Sequence, residues 1–261
     1  MTMALKPLVW ATLALPLASA VHAEQRHYTG VAYGVDTGQV RYREEHWLFE
    51  DGGVPTRLVL YRCKSGQPFA SKIVHYRKNA WDPDFELHDH RDGYLEGAEY
   101  VQSTWRVYVK ENAASRQQED RLPEHTNTVV DAGFDDYVQT HWDALQSGRD
   151  LTAAFLMPSR LAYVNVKLQP DGASTKDGVA VRRFRMKLDS WLGAIAPSIS
   201  MVYSETAHRL LEFVGPSNIR DAGGKRQQVR IEFSPRDEPV PTSAQIQAAQ
   251  RETLVDRCPD A

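Results

Sequence analysis

VVDAGFDDYVQTHWDALQSGRDLTAAFLMPSRL, residues 129–161, decides the fold. Phe134, Tyr137, Val138, His141, Trp142 and Leu145 fall at i, i+3, i+4, i+7, i+8 and i+11, the apolar stripe of one α-helix over 133–147. Asp131 is placed to accept from the first free N–H groups, and Asp135 and Asp136 lie near the positive end of the helix dipole. Gly148 supplies the left-handed residue that ends the helix. The run that follows, 151–157, is apolar on both faces, as in a strand buried on both sides directly under a helix.

Outward from this stretch the chain alternates with period two. In 28–36, Thr29, Val31, Tyr33 and Val35 share one face, and Gly30, Ala32 and Gly34 the other, where a second layer can approach closely. Strands follow at 40–49, 56–63 and 68–77, the first two joined by the hairpin turn Asp51-Gly52-Gly53. Segment 79–92 is loop-like with one short strand, 94–101 and 104–110 form a hairpin, and 111–120 reads as a polar, mobile loop. After the helix, strands are expected at 161–168, 179–188, 200–204, 208–214 and 228–233. Turns are expected at Pro170-Asp171-Gly172 and Gly215-Pro216-Ser217-Asn218, with short helices at 191–196 and near the C-terminus. Roughly a dozen strands at hairpin spacing around one aromatic-faced helix predict a mainly β fold: a strongly curved antiparallel sheet, or incomplete β-barrel, with the helix on its concave face.

The N-terminus reads as an address. Lys6 precedes an apolar run at 8–18, too short to span a bilayer. Ala18-Ser19-Ala20 and Val21-His22-Ala23 are both small-residue cleavage sites. Residues 1–23 are therefore expected to be a cleaved signal peptide and 24–261 a single β-rich domain with a C-terminal tail at 240–261. No Cys follows either site, so no lipid anchor is indicated, and no later stretch is apolar enough for a membrane span. The product is expected to be exported, and periplasmic in a diderm bacterium. The chain carries a formal net charge of −3, without the basic field that nucleic acid requires. Its two cysteines, Cys63 and Cys258, either pair and tie down the tail or stand as a buried free thiol and a frayed terminal one.

The chain has no G-x-S-x-G, H-E-x-x-H, CxxC, P-loop or G-x-G-x-x-G motif, and no cofactor is expected. His88 and His90 point the same way on a strand, roughly 6–7 Å apart along the chain; with a carboxylate from elsewhere they form a metal-site candidate, and otherwise a solvated edge. Arg183 and Arg185 share a basic strand face that meets either solvent or an anionic head group. Phe134, Val138, Trp142, Phe155, Met157 and Trp191 supply adaptable apolar surface that fills a core or lines a cavity.

The helix 129–148, the strand AFLMPSRL at 154–161 and the closing LEFVGPSNIRDAGGKRQQVRIEF at 211–233 resemble exported lipoprotein-carrier-like proteins and other exported bacterial proteins of that broad type. The resemblance implies an incomplete barrel whose helices plug or lid an apolar cavity. The polar segment around His88 has no counterpart in that pattern. Residues and resemblance together lead to a non-enzymatic binder of a lipid-like or other apolar small molecule as the first expectation. A metal-dependent hydrolase using His88 and His90 is the second, and an envelope module with a filled core and a protein partner the third.

Overall fold

The computed structural model describes residues 25–189, 198–236 and 238–259. Strands β1 (Arg26–Gly34), β2 (Val40–Asp51), β3 (Val54–Arg62), β4 (Pro68–His75), β5 (Asp84–Asp89), β6 (Tyr94–Val101), β7 (Thr104–Lys110) and β8 (Gln118–Pro123) make one antiparallel meander. The short β9 (Thr128–Val130) leads into helices α1 (Gly133–Thr140) and α2 (Trp142–Gln146). A second meander follows: β10 (Leu151–Met157), β11 (Ala162–Lys176), β12 (Val179–Leu188), β13 (Ile199–Ser204), β14 (Leu210–Arg220) and β15 (Arg226–Phe233). Helix α3 (Ser243–Gln250) comes last. Gly52 and Gly53, at φ +55° and +84°, supply the two left-handed residues that a two-residue hairpin between β2 and β3 needs.

The two meanders form one sheet because β1 pairs with β15, Gly30 opposite Phe233 and Gly34 opposite Val229. Every pairing is antiparallel except that of β9 with β10. The sheet's edges, β8 and β9, are consecutive in sequence and joined only by residues 124–127. Such a linker spans at most roughly 17 Å, so a sheet of fifteen strands has to curl until its edges nearly meet. Across that seam Tyr163 Oη donates to the Pro123 carbonyl at 2.9 Å. The β9 edge is covered where the Val130 N–H donates to the Trp81 carbonyl at 3.0 Å. The result is an incomplete β-barrel.

The apolar stripe of α1 and α2 lies on the concave face. Phe134, Tyr137, Val138, Trp142 and Leu145 pack on Ala153, Val166, Leu168, Phe184, Met186, Met201 and Tyr203 of β10–β13. Gly133 lets the helix start against the chain at Trp81, where a Cβ would meet the carbonyl oxygen at 2.4 Å. A second buried cluster, including Tyr42, Val59, Phe69, Leu87 and Trp105, fills the other half of the interior. On the convex side Trp47, Phe49, Leu58 and Leu60 form an apolar patch that α3 covers with Ile246 and Ala249. A Thr242–Gln245 capping box starts α3. Cys63 and Cys258 are disulfide-bonded, with Cα atoms 5.5 Å apart.

Several local expectations change. The helix breaks at His141, whose ring Nδ1–H donates to the Tyr137 carbonyl at 2.9 Å, sharing it with the His141 backbone N–H at 3.2 Å. Asp131 does not cap the helix: Ala132 holds the N-cap position and makes no side-chain bond. Segments 170–172 and 215–218 are not turns but register shifts inside β11 and β14, since turns and β-bulges use the same Gly, Pro and Asn chemistry. The end of the expected mobile loop, from Gln118, is part of strand β8. The helix expected at 191–196, with Trp191, lies outside the described residues.

Candidate functional site: a cavity beneath the helix

A cavity of about 580 Å³ lies between α1 and the sheet. Its apolar wall includes Phe134 from α1, Phe155, Leu156 and Met157 from β10, Val164 and Val166 from β11, Met186 from β12, Met201 and Tyr203 from β13, Phe213 from β14 and Ile231 and Phe233 from β15. Alternation puts Val164 and Val166, Met201 and Tyr203, and Ile231 and Phe233 on the concave face of their strands. Phe155, Leu156 and Met157, by contrast, are consecutive and reach the cavity at the end of β10.

One part of the lining is polar and internally connected. Lys72 Nζ donates to Asp131 Oδ2 at 2.6 Å, and Asn218 Nδ2 to Asp131 Oδ1 at 2.9 Å. Arg226 donates from Nη1 to Asn218 Oδ1 at 3.0 Å, and from Nη2 to Glu96 Oε2 at 3.1 Å and Ser159 Oγ at 3.0 Å. Tyr94 Oη donates to Glu96 Oε2 at 2.8 Å. Lys72, Leu87 and Glu96 stand abreast on β4, β5 and β6, so the Lys72 and Glu96 backbones are about 10 Å apart, two strand spacings. The bulge in β14 brings Ser217 and Asn218 to the lining. Asp131, with φ at +41°, has a backbone conformation uncommon for a non-glycine residue. Its carboxylate is held by Lys72 and Asn218 rather than by the helix end. Glu96 is 1% exposed, and burial pushes its carboxyl above the ordinary range against the pull of Arg226 and Tyr94.

A second polar group meets the helix from β1–β4. Tyr28 and His46 stack at 4.4 Å, and His46 Nε2 lies 3.1 Å from Glu44 Oε2. Burial pushes the His46 imidazole down, towards its neutral form. The Arg57 guanidinium lies 5.7 Å from the centre of the Tyr76 ring. Burial works against its charge, but Tyr28, Tyr76, Asp135 and Asp136 outweigh it and keep it protonated. Among the described residues His46 Nδ1, Arg57 Nε, Tyr76 Oη, Asp135 Oδ1 and Asp136 Oδ2 are buried without a hydrogen-bond partner.

Asp136 shows the energetic consequence. Burial is the largest influence and pushes its carboxyl from 3.8 up to about 6. The folded chain therefore holds this proton more tightly than the unfolded chain. Stability from this group is greatest at low pH and falls as pH rises through about 4 to 6. Asp136→Asn is expected to stabilise the protein by about 1–2 kcal/mol at pH 7.5 and to remove that part of the pH dependence. Urea unfolding at pH 7.5 and pH 5 checks this; a variant weaker than wild type at pH 7.5 contradicts it.

Of the residues singled out from sequence, Phe134, Phe155 and Met157 line the cavity, whereas Val138 and Trp142 lie behind its wall in the packed core. Arg183 and Arg185 need correction as head-group contacts. They alternate with the inward Phe184 and Met186, so they face away from the cavity, and Arg185 Nη2 donates to Asp171 Oδ2 at 2.6 Å. The His88 and His90 rings are 4.6 Å apart, but among the described residues no set of three metal-ligating side chains forms around them. Among those residues no helix is long and apolar enough to cross a membrane. The sequence reading missed Lys72, Glu96, Asp131 as a cavity residue, Ser159, Asn218 and Arg226.

No protein-family model and no curated protein matches the chain. Among solved structures it is similar to a β-barrel-like protein of domain of unknown function DUF1849 from Brucella abortus. That match is 10% identical, covers 82% of this chain and 96% of the other, and has a TM-score of 0.47. It is also similar to a DUF1329 family protein from Desulfovibrio piger, 10% identical over 86% of this chain and 90% of the other, with a TM-score of 0.28.

Proposed function

We propose that this chain is an exported, non-enzymatic binder of an amphiphilic, lipid-like ligand held beneath α1. The observation that carries this is the cavity of about 580 Å³, a volume in the range of small-molecule sites, with an apolar wall and a charged, hydrogen-bonded network in its lining. An apolar chain against Phe155, Met201 and Phe213 would remove both its own surface and theirs from water, at about 25 cal/mol per Å². The disulfide is compatible with an oxidising compartment, and the apolar N-terminal segment supports export.

Native mass spectrometry of protein extracted gently from its host, together with uptake of a fluorescent fatty acid, tests the reading. A bound mass and saturable uptake are expected. Bare polypeptide with no uptake counts against it. Val164→Trp, which puts an indole into the cavity from β11, is expected to cut uptake at least tenfold while the melting temperature stays level or rises. Unchanged uptake in that variant would locate the ligand elsewhere.

A further inference from the structure

The cavity's polar region points to one class of head group. Six side chains of the connected network, Lys72, Glu96, Asp131, Ser159, Asn218 and Arg226, reach the lining, which also carries Glu44, Asp135, Arg160 and Lys187 outside that network. Two cations are matched by two carboxylates, yet the hydrogen count is unequal. The Lys72 ammonium has three N–H donors and uses one, on Asp131. Arg226 has five and uses three. Asn218 uses one N–H of two, on Asp131. Ser159 accepts from Arg226 and keeps its own O–H. On the acceptor side, both Asp131 oxygens already receive a bond, and Glu96 Oε2 receives two. The raised Glu96 carboxyl adds a donor when it is protonated.

The network is also pre-organised. Asn218 bridges Asp131 to Arg226, so Lys72 and Arg226, which belong to strands far apart in sequence, are linked through two intervening side chains. Lys72 and Asp131 are largely buried, with side-chain exposures of 12% and 7%. Holding charges there is costly unless they are paired and hydrogen-bonded. An oxygen-rich anion satisfies the unused donors. An ammonium at the same place would find both Asp131 oxygens and Glu96 Oε2 already occupied. Its acceptor there would be Glu96 Oε1, and the other carboxylate oxygen without a partner among the described residues is Asp135 Oδ1, on the α1 side of the cavity.

Resting on the amphiphile reading above, we infer that the head group is an oxyanion, a carboxylate or a phosphate ester, bound by the spare donors of Lys72, Asn218, Arg226 and Ser159. The anion adds to the Lys72–Asp131 and Arg226–Glu96 pairs without displacing them.

The test compares four ligands with one chain length: dodecanoate, dodecyl phosphate, monolauroylglycerol and dodecyltrimethylammonium, measured by calorimetry on the full disulfide-bonded protein. At least one of the two anions is expected to bind tenfold or more tighter than the neutral and cationic compounds, and the stronger of the two identifies the oxyanion. Lys72→Met with Asp131→Asn removes the buried ion pair as a unit. It is expected to weaken anion binding about tenfold, the effect of losing a charge-assisted hydrogen bond, and to leave monolauroylglycerol within twofold. Ser159→Ala, a smaller change at a partly exposed site, keeps the test readable if the double variant does not fold; it is expected to weaken anion binding about threefold. Equal affinity for all four ligands, tightest binding of the cation, or variants that weaken neutral and anionic ligands alike would overturn the head-group assignment while leaving the amphiphile reading in place. No binding of any of the four would overturn the amphiphile reading itself.

Discussion

Trp142→Ala is expected to lower stability by about 3–5 kcal/mol, the cost of removing a large buried aromatic side chain, and to leave ligand uptake by the folded protein unchanged. Trp142 is 3% exposed at the start of α2. Its indole meets Phe184 edge-on with ring centres 5.4 Å apart, lies 6.1 Å from the Tyr203 ring, and stacks on His208 at 3.9 Å. Phe184 and Tyr203 are on β12 and β13, fixed by the ladder that pairs Phe184 with Met201 and Arg182 with Tyr203. They cannot move in to fill the space, so the vacated volume remains as a cavity and its lining loses dispersion contacts. Trp142 does not line the existing cavity, so uptake is not expected to depend on it directly. Phe134→Ala differs in kind: Phe134 faces the cavity, and its truncation enlarges a space that already exists. Urea unfolding measures the first effect, and uptake under conditions where the variant remains folded measures the second. A loss below about 1 kcal/mol with uptake abolished would make Trp142 a cavity wall and not a core residue.

The same residues show what the sequence discloses and what it withholds. The helix is legible because its period is local: the stripe from Phe134 to Leu145 needs no knowledge of any other strand. The strands are legible for a similar reason, and Gly30, Ala32 and Gly34 do face inward as their small size suggests. Bulges are not legible. Gly215-Pro216-Ser217-Asn218 has the composition of a turn, and only the register against β15 shows that the strand continues. The polar site left a partial trace. Lys72 shares its inward face with Ala70 and Val74, and Glu96 shares its face with Tyr94 and Ala98, all buried. A charge at an apolar position of a strand marks a buried pair or a site. What one sequence cannot supply is the partner. Lys72 lies 59 residues from Asp131, Asp131 lies 87 from Asn218, and Glu96 lies 130 from Arg226, so the pairing depends on how the sheet closes. Arg183 and Arg185 show the opposite case: their shared face was legible, but which side of the sheet borders the cavity is a property of the closed barrel.

Replacing both Cys63 and Cys258 with Ala is expected to lower stability by about 3–5 kcal/mol while leaving the native fold and the cavity in place. The bond joins residues 195 apart, and closing so long a loop restricts the unfolded chain by about 5 kcal/mol in the chain-entropy limit. In the native state the tail is held by other contacts. Arg62 donates to both oxygens of Glu252 at 2.7 and 2.6 Å, the Val255 N–H donates to the Pro68 carbonyl at 2.8 Å, and α3 covers the convex patch around Trp47. The bond therefore acts mainly on the unfolded ensemble, and the double variant should unfold at lower urea concentration with near-native circular dichroism beforehand. Alanine at both positions matters, because Cys63 is 1% exposed among Phe69, Ala70 and Tyr61, where a serine hydroxyl would add a separate desolvation cost. Limited proteolysis of the folded variant separates the two roles. Protection of the segment after Ser243 should persist if Arg62, Glu252 and α3 hold the tail. Rapid cleavage there would show that the bond itself docks α3, and the stability loss would then include exposure of Trp47, Phe49, Leu58 and Leu60 on the native protein. Equal stability with and without the bond would rule out both roles, since neither the unfolded chain nor the docked tail would then depend on it.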